Sequence, residues 1–442
     1  MFRRTLFFLF FSALVLQSCK ALSFSNDQRP NFLIIVTDDQ RFDTMEYMPN
    51  TQELIFDQGV TFSRAYVTTP LCCPSRASIF TGMYAHNHGV HTNEDPLKFR
   101  TVMDDLHENG YYTGLVGKYL NSWTDAPRPE FDYWVSFWGG TPKRYYDPRL
   151  MIDGERGKRE GYITYLLRDR VIEFLERASD QPKPFILFFT SNAPHDPFTP
   201  ANEDLELYLD IPPHRPPSFN EEDVSDKPIW VQDKLVMSEQ DLAYTDSVRL
   251  AQLQTLASLD RSIAEIIQKV KDIGELDNTV IIFISDNGLH WGEHRTDNKN
   301  TPYEEAVKVP FAMRYPALIP TPHVEDRLVA NIDIAPTIYE LSETAVPETV
   351  DGVSLVKLFR GQVWRSAILL EAWPDRGHWA AIHTGDAVYI ETDNDLPEYY
   401  DLTVDPFQIE NSINDPKYQS AIAQLKELLE VEKAVGTTLP SP

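Results

Sequence analysis

The chain has 442 residues, 42% of them hydrophobic and 12% aromatic, with a formal net charge of −27. That apolar content supports a real core and excludes a disordered chain, and the length points to one large domain plus a smaller one. The acidic balance excludes a nucleic-acid binder or a polybasic membrane surface, and it makes any local cluster of Lys and Arg notable.

The chain begins "MFRR", followed by the apolar run "TLFFLFFSALVL". A basic start and a run too short to span a bilayer read as an export signal. Two endings stay open. Cleavage after "ALS" gives a signal over residues 1–23. Alternatively "LQSC" makes Cys19 the lipidated first residue of a bacterial lipoprotein, which is the one route to a membrane. The mature protein is expected outside the cytoplasm: secreted, periplasmic, lysosome-like or lipid-anchored.

Four apolar runs then read as buried parallel strands. They are Asn31–Val36, followed by Asp38 and Asp39; Tyr111–Val116, followed by Lys118; Pro184–Thr190, leading to His195; and Thr279–Ile284, followed by Asp286 and Asn287. Helical spacing is read over Tyr162–Ala178. Asp241–Ile273 holds one long helix or two. Alternating strands and helices predict an α/β domain, placed at residues 30–345. Leu209–Trp230, rich in Pro and charge, reads as a surface loop lying over the site. Residues 346–442 read as a smaller unit with an antiparallel sheet ("SAILLEA", "WAAIHTG", "AVYIETD") and a covering helix at Ala421–Ala434.

Ligands of open α/β sheets bind at the carboxyl ends of the strands. The four runs would deliver carboxylates, a lysine and a histidine to one edge. An isolated Asp-Asp is usually a solvated turn. Two such pairs after two apolar strands point instead to hard-oxygen ligands for Ca²⁺ or Mg²⁺. A lone Lys or His is usually a surface residue; strand-end placement is what singles out Lys118 and His195. Arg76 and Lys299 add positive charge. "LCCPSRASIFTG" holds Cys72 and Cys73. A vicinal disulfide, a metal thiolate, a buried pair and a modified nucleophile all remain open for them, although adjacent cysteines bridge with strain. Cys73 reads as a small buried hydrophobe. Pro74 suits the first position of a helix, placing Cys72 just before an N-terminus that favours an anion.

"CCPSRASIFTG" resembles the signature of the formylglycine-dependent sulfatase family. Cys72, Pro74, Ser75, Arg76, Thr81 and Gly82 stand at its fixed positions. The resemblance runs through "NFLIIVTDDQ", "GYYTGLVGKYLN", "APHDPF", "ISDNG", "DNKNTPYEEAVKVPFAMRYP" and "YYDLTVDPFQIEN". Within the family it is similar to the N-acetylglucosamine-6-sulfatase and heparan-endosulfatase branch. What the resemblance implies is an alkaline-phosphatase-like mixed sheet sandwiched by helices, and hydrolysis of sulfate esters, on a sulfated small molecule or polysaccharide. It implies oxidation of Cys72 to formylglycine by a maturation enzyme. It implies one Ca²⁺ held by Asp38, Asp39, Asp286, Asn287 and the modified Cys72. Lys118, Lys299 and His195 would grip the sulfate and the leaving oxygen, and Arg76 would orient the nucleophile. One departure stands out: many sulfatases carry a histidine two residues after the lysine, where this chain has Leu120, so the base for sulfate expulsion is open. His88 and His290 are further candidates for substrate contact, each weighed against an ordinary structural role. A phosphonate or phosphate monoester hydrolase on the same scaffold is the alternative. A non-catalytic Ca²⁺- or glycan-binding protein would have no need of Cys72.

Overall fold

The computed structural model describes residues 29–123 and 126–435. The expected export signal and Cys19 lie outside the described residues. Among the described residues no helix is long and apolar enough to cross a membrane.

A ten-stranded mixed sheet organises the chain. Its order is His323–Glu325, Val60–Phe62, Phe311–Arg314, Thr279–Ser285, Asn31–Thr37, Phe185–Thr190, Tyr112–Gly117, Tyr133–Phe137, Arg149–Ile152, Glu155–Lys158. The four expected strands are adjacent and parallel at its centre. Each reads as an unbroken apolar run because both faces are covered. Phe32, Ile34 and Val36 pack on one side with Ile79 and Phe80 of the helix Cys72–Thr81 and with Ile334 and Ile338. Leu33 and Ile35 pack on the other with Leu167, Phe174, Leu256 and Ile263.

Those last four side chains come from two helices, Ile163–Ser179 and Glu239–Asp272. The second is a single helix of 34 residues, which settles the question of one or two. It starts at Ser238, whose hydroxyl accepts from the Asp241 N–H while the Asp241 carboxylate accepts from the Ser238 N–H. This reciprocal cap satisfies donors that a helix start leaves free.

The small C-terminal sheet is antiparallel, with strands Ile368–Ala372, Trp379–His383, Ala387–Thr392 and Glu398–Asp401, and the helix Gln419–Lys433 packs on it through Ile422 and Leu429. Its core is shared with Tyr66, Tyr303 and Ile332 of the larger part. The Leu209–Trp230 segment is pinned between the two parts. Its Lys227 ammonium is buried, hydrogen-bonds the Tyr400 hydroxyl at 3.1 Å and also reaches the Gln408 carbonyl. The Ile229 N–H donates to Asp395 Oδ1 at 2.8 Å.

Candidate active site

Strand register places the chemistry. Thr37 pairs with Ser285, so Asp38–Asp39 and Asp286–Asn287 leave the sheet side by side. Asp39 has φ 69°, a left-handed turn that Asp tolerates better than most residues. Gly117 pairs with Thr190 and brings Lys118 alongside. Gly117 has φ 121°, and a Cβ there would lie 1.9 Å from the Thr190 carbonyl oxygen, so only glycine permits this approach.

The helix Cys72–Thr81 supplies Cys72 and, one turn on, Arg76. Here the structure corrects the expected helix start. Cys72 is the first helical residue and Pro74 the third, with Leu71 as the flanking cap. Proline costs nothing at either place, because first-turn N–H groups have no intrahelical partner. Lys299 arrives from a loop fixed by an Asn300 N–H bond to the Pro70 carbonyl at 3.0 Å.

These residues converge. Lys118 pairs with Asp38, Lys299 with Asp39, and Arg76 with Asp286. Lys299 Nζ lies 3.0 Å from Cys72 Sγ, which is itself 3.5 Å from Asp38 Oδ1. His195 Nδ1 donates to the Asp196 carbonyl at 2.8 Å, which fixes the tautomer and leaves Nε2 facing Asp39 Oδ2 at 3.9 Å. The His195 side chain is 17% exposed, so the cluster opens to solvent on its side.

The electrostatics follow. Burial pushes the Cys72 thiol up, but the Lys118 and Lys299 charges outweigh it and bring the pKa down to about 6. Burial also works against a charged His195; the Asp38 carboxylate, helped by Asp39, overrides it and raises the pKa to about 9. Burial and then the Asp38 charge push Asp286 well above the carboxylate range.

The donor set fits a hard cation. Asp38, Asp39, Cys72 and His195 bring ligand atoms within 4.8 Å of one another. Asp286 and Asn287 lie against this group: Asp286 Oδ1 accepts from the Asp39 N–H at 3.2 Å, and Asn287 Nδ2 donates to Asp39 Oδ1 at 2.7 Å. Asn287 Oδ1 is buried with no hydrogen-bond partner among the described residues, a free hard oxygen beside three carboxylates.

Other residues fall elsewhere. Leu120 is buried in the apolar core. His88 accepts the Val90 N–H on Nδ1 and bonds Ser78 Oγ with Nε2; burial depresses its pKa to about 3. His290 is enclosed and bonds Thr301 Oγ1 at 2.7 Å. Both cysteines are free thiols, which excludes the vicinal disulfide. Cys73 does more than pack: its Sγ lies 3.2 Å from the Asn121 N–H and 3.6 Å from Arg76 Nη2. Sequence reasoning missed Asn331, whose side chain bridges the Thr68 N–H and Ser75 Oγ and so clamps the helix start. No local pattern marks it.

A mixed sheet between helices, with this site at its carboxyl edge and a small antiparallel sheet beside it, is the alkaline-phosphatase-like architecture. Residues 30–344 match the family model described as Sulfatase, and residues 292–434 match that described as N-sulphoglucosamine sulphohydrolase, C-terminal. The chain belongs to the sulfatase family. It is 31% identical to human N-acetylglucosamine-6-sulfatase, over 87% of this chain and 81% of that protein. It is 33% identical to the extracellular sulfatase SULF-1 homolog of Drosophila melanogaster, over 79% of this chain but only 33% of the fly protein, whose length it therefore spans by about a third. A solved structure described as in complex with its substrate D-glucosamine-2-N,6-O-disulfate superposes with a TM-score of 0.82, at 25% identity, over 92% of this chain and 97% of the other.

Proposed function

We propose that the protein hydrolyses sulfate esters on a sulfated carbohydrate, with Cys72 as the precursor of its nucleophile. The observation that carries this reading is the position of Cys72. It opens a helix, lies between Lys118 and Lys299, and faces carboxylates from two strand ends. A helix start and two ammonium groups favour an anion there. Matured to formylglycine, Cys72 would supply a hydrated aldehyde as the nucleophile. Asp38, Asp39, Asp286, Asn287 and the matured Cys72 would hold Ca²⁺, which would polarise the sulfuryl oxygens.

The chain's own side chains do the rest. Lys118 and Lys299 stabilise the negative charge that spreads over the sulfuryl oxygens during transfer. Arg76 holds Asp286 in place. The protonated Nε2 of His195 gives the leaving oxygen its proton. Leu120 supplies no base, so proton traffic falls to groups already around Cys72.

A sulfated aminosugar is the substrate class, supported by the name of the human relative and by the ligand of the solved structure. The protein is matured by a formylglycine-generating enzyme and works outside the cytoplasm. Residues 30–345 carry the chemistry, and residues 346–442 form the smaller C-terminal unit.

Two measurements test this. The mass of the peptide spanning Cys72 should fall, as oxidation of thiol to aldehyde requires; an unmodified thiol in active protein would overturn the nucleophile. Sulfate and phosphate monoesters assayed side by side should show faster sulfate release. Much faster phosphate release would move the protein to the alternative on the same scaffold.

A further inference from the structure

The outer edge of the large sheet carries charge of the opposite sign to the chain as a whole. Residues 138–160 hold six lysines and arginines against four carboxylates, where the whole chain has 40 against 67. The strands Arg149–Ile152 and Glu155–Lys158 close that edge as an antiparallel hairpin, with Arg149 opposite Lys158 and Met151 opposite Arg156. Side chains directly opposite each other, or two residues apart on one strand, share a face. Arg149, Arg156 and Lys158 therefore stand on one face, and all three are exposed. Like charges directly opposite each other cost stability. Lys158 has Asp147 Oδ2 at 2.9 Å, an exposed pair that contributes little. Arg149 pairs with no carboxylate among the described residues. Its guanidinium lies instead 5.2 Å from the Trp138 ring, and that of Arg156 lies 5.9 Å from the same ring.

Trp138 is 40% exposed, so the indole and its two guanidiniums face solvent together. An indole that holds two guanidiniums limits the side-chain freedom that a ligand would have to freeze. The planar fork of arginine suits the oxygens of an anionic group. Position then limits the occupant. Trp138 follows the strand Tyr133–Phe137, and the turn after it meets the loop beyond Lys118: a Cβ on Gly140 would fall 2.6 Å from the Asn121 carbonyl oxygen. The positive strip thus begins near the site and runs away from it. The hairpin's two strands lie four and five places from Asn31–Thr37 in the sheet, roughly 20 Å off at the usual strand spacing. A single sugar with its ester at Cys72 does not reach that far, whereas a chain of several sugars does.

We propose that this hairpin is an exosite for a sulfated polysaccharide: Arg149, Arg156 and Lys158 bind sulfates of the same chain several sugars away from the ester at Cys72. The choice of a sulfated chain rests on the sulfate-ester reading of the site. The test is calorimetric titration of the full chain carrying Cys72→Ala, which cannot turn over. The probes are a heparin octasaccharide, the same octasaccharide desulfated, polyglutamate of matched charge, and glucosamine 6-sulfate. Adding Arg149→Gln and Lys158→Gln together should weaken the sulfated octasaccharide about tenfold and the monosaccharide less than about twofold. Added salt should weaken the octasaccharide steeply before these two changes and less after them. The thermal midpoint should not fall, because a like-charge pair is removed. Equal weakening of octasaccharide and monosaccharide, or none, overturns the exosite. Equally tight binding of the desulfated octasaccharide overturns recognition by charge, and equally tight binding of polyglutamate gives the strip to an acidic protein instead. Sulfate release from glucosamine 6-sulfate by the matured protein is measured separately and should be unchanged by Arg149→Gln and Lys158→Gln. No release from any sulfate ester, with the octasaccharide still bound through the strip, would sink the functional reading and leave the exosite standing.

Discussion

Two buried clusters of ionisable groups lie in this molecule, and they solve the same problem differently. The first is the strand-end site, where every carboxylate faces a cation: Asp38 with Lys118, Asp39 with Lys299, Asp286 with Arg76. The second lies where the small sheet meets the large part, around Tyr303. There His294 stacks on Tyr303 with ring centroids 4.0 Å apart, and Glu398 accepts from the Tyr303 and Tyr400 hydroxyls at 2.8 and 2.6 Å. Burial drives His294 down to about 3 and Glu398 up to about 7, so both tend toward the neutral form. The first cluster keeps Asp38 ionised and His195 protonated, with Asp286 alone pushed toward the neutral form, and it opens to solvent beside His195, which is what transfer of an anionic group needs. The second draws His294 and Glu398 toward neutrality beside the buried Lys227 ammonium and is closed, which suits a seam between two parts of a fold.

If that contrast is right, substitutions in the first cluster should remove activity and those in the second should move stability. The largest effect belongs to Cys72→Ala. Steady-state sulfate release should fall on the order of 10⁴-fold or more, because no other group replaces a covalent nucleophile. Retained turnover would end the mechanism. Lys118→Ala should follow, with kcat lower by roughly 10²- to 10³-fold, the range for loss of one charge-stabilising group. A rise in KM alone would make Lys118 a binding residue only.

His195→Gln should cost on the order of 10²-fold in kcat and should also change the pH profile. The Asp38 and Asp39 charges hold the imidazole protonated up to about pH 9. A wild-type rate that needs this proton falls above that pH, and the variant should lack that alkaline limb. An unchanged limb would pass the role to Lys299.

Much of the first cluster was legible because its logic is local. An apolar run buried on both faces, ending in two polar residues, announces a strand end even in a single sequence. The start of the Cys72 helix was placed two residues late, since proline fits anywhere in a first turn. Asn331 was invisible, because it meets Ser75 across 256 residues of chain. The strand Glu398–Asp401 sits inside a recognised motif, and its four residues, three of them buried in a row, offer no alternation to read. The second cluster left almost no signal. Its members come from the Pro-rich segment, the loop after Asn287 and the small sheet, and only the finished fold makes them neighbours.

The smallest effect expected tests that second cluster. Glu398 is fully buried, and its folded-state pKa of about 7 exceeds its unfolded value near 4.5. Between those values the folded state binds more protons, so this group's contribution to stability is complete below pH 4.5 and is lost as pH rises toward 7. Glu398→Gln keeps an acceptor for both tyrosine hydroxyls and removes the titration. Its stability relative to wild type should therefore climb from pH 4.5 to 7 and then level off, by about 3 kcal/mol at most. Thermal midpoints at pH 5 and pH 8 read this directly. A difference that stays flat with pH would mean that Glu398 is ionised inside the fold. The seam would then hold a charge like those of the active site, and the contrast between the two clusters would fail at its weaker end.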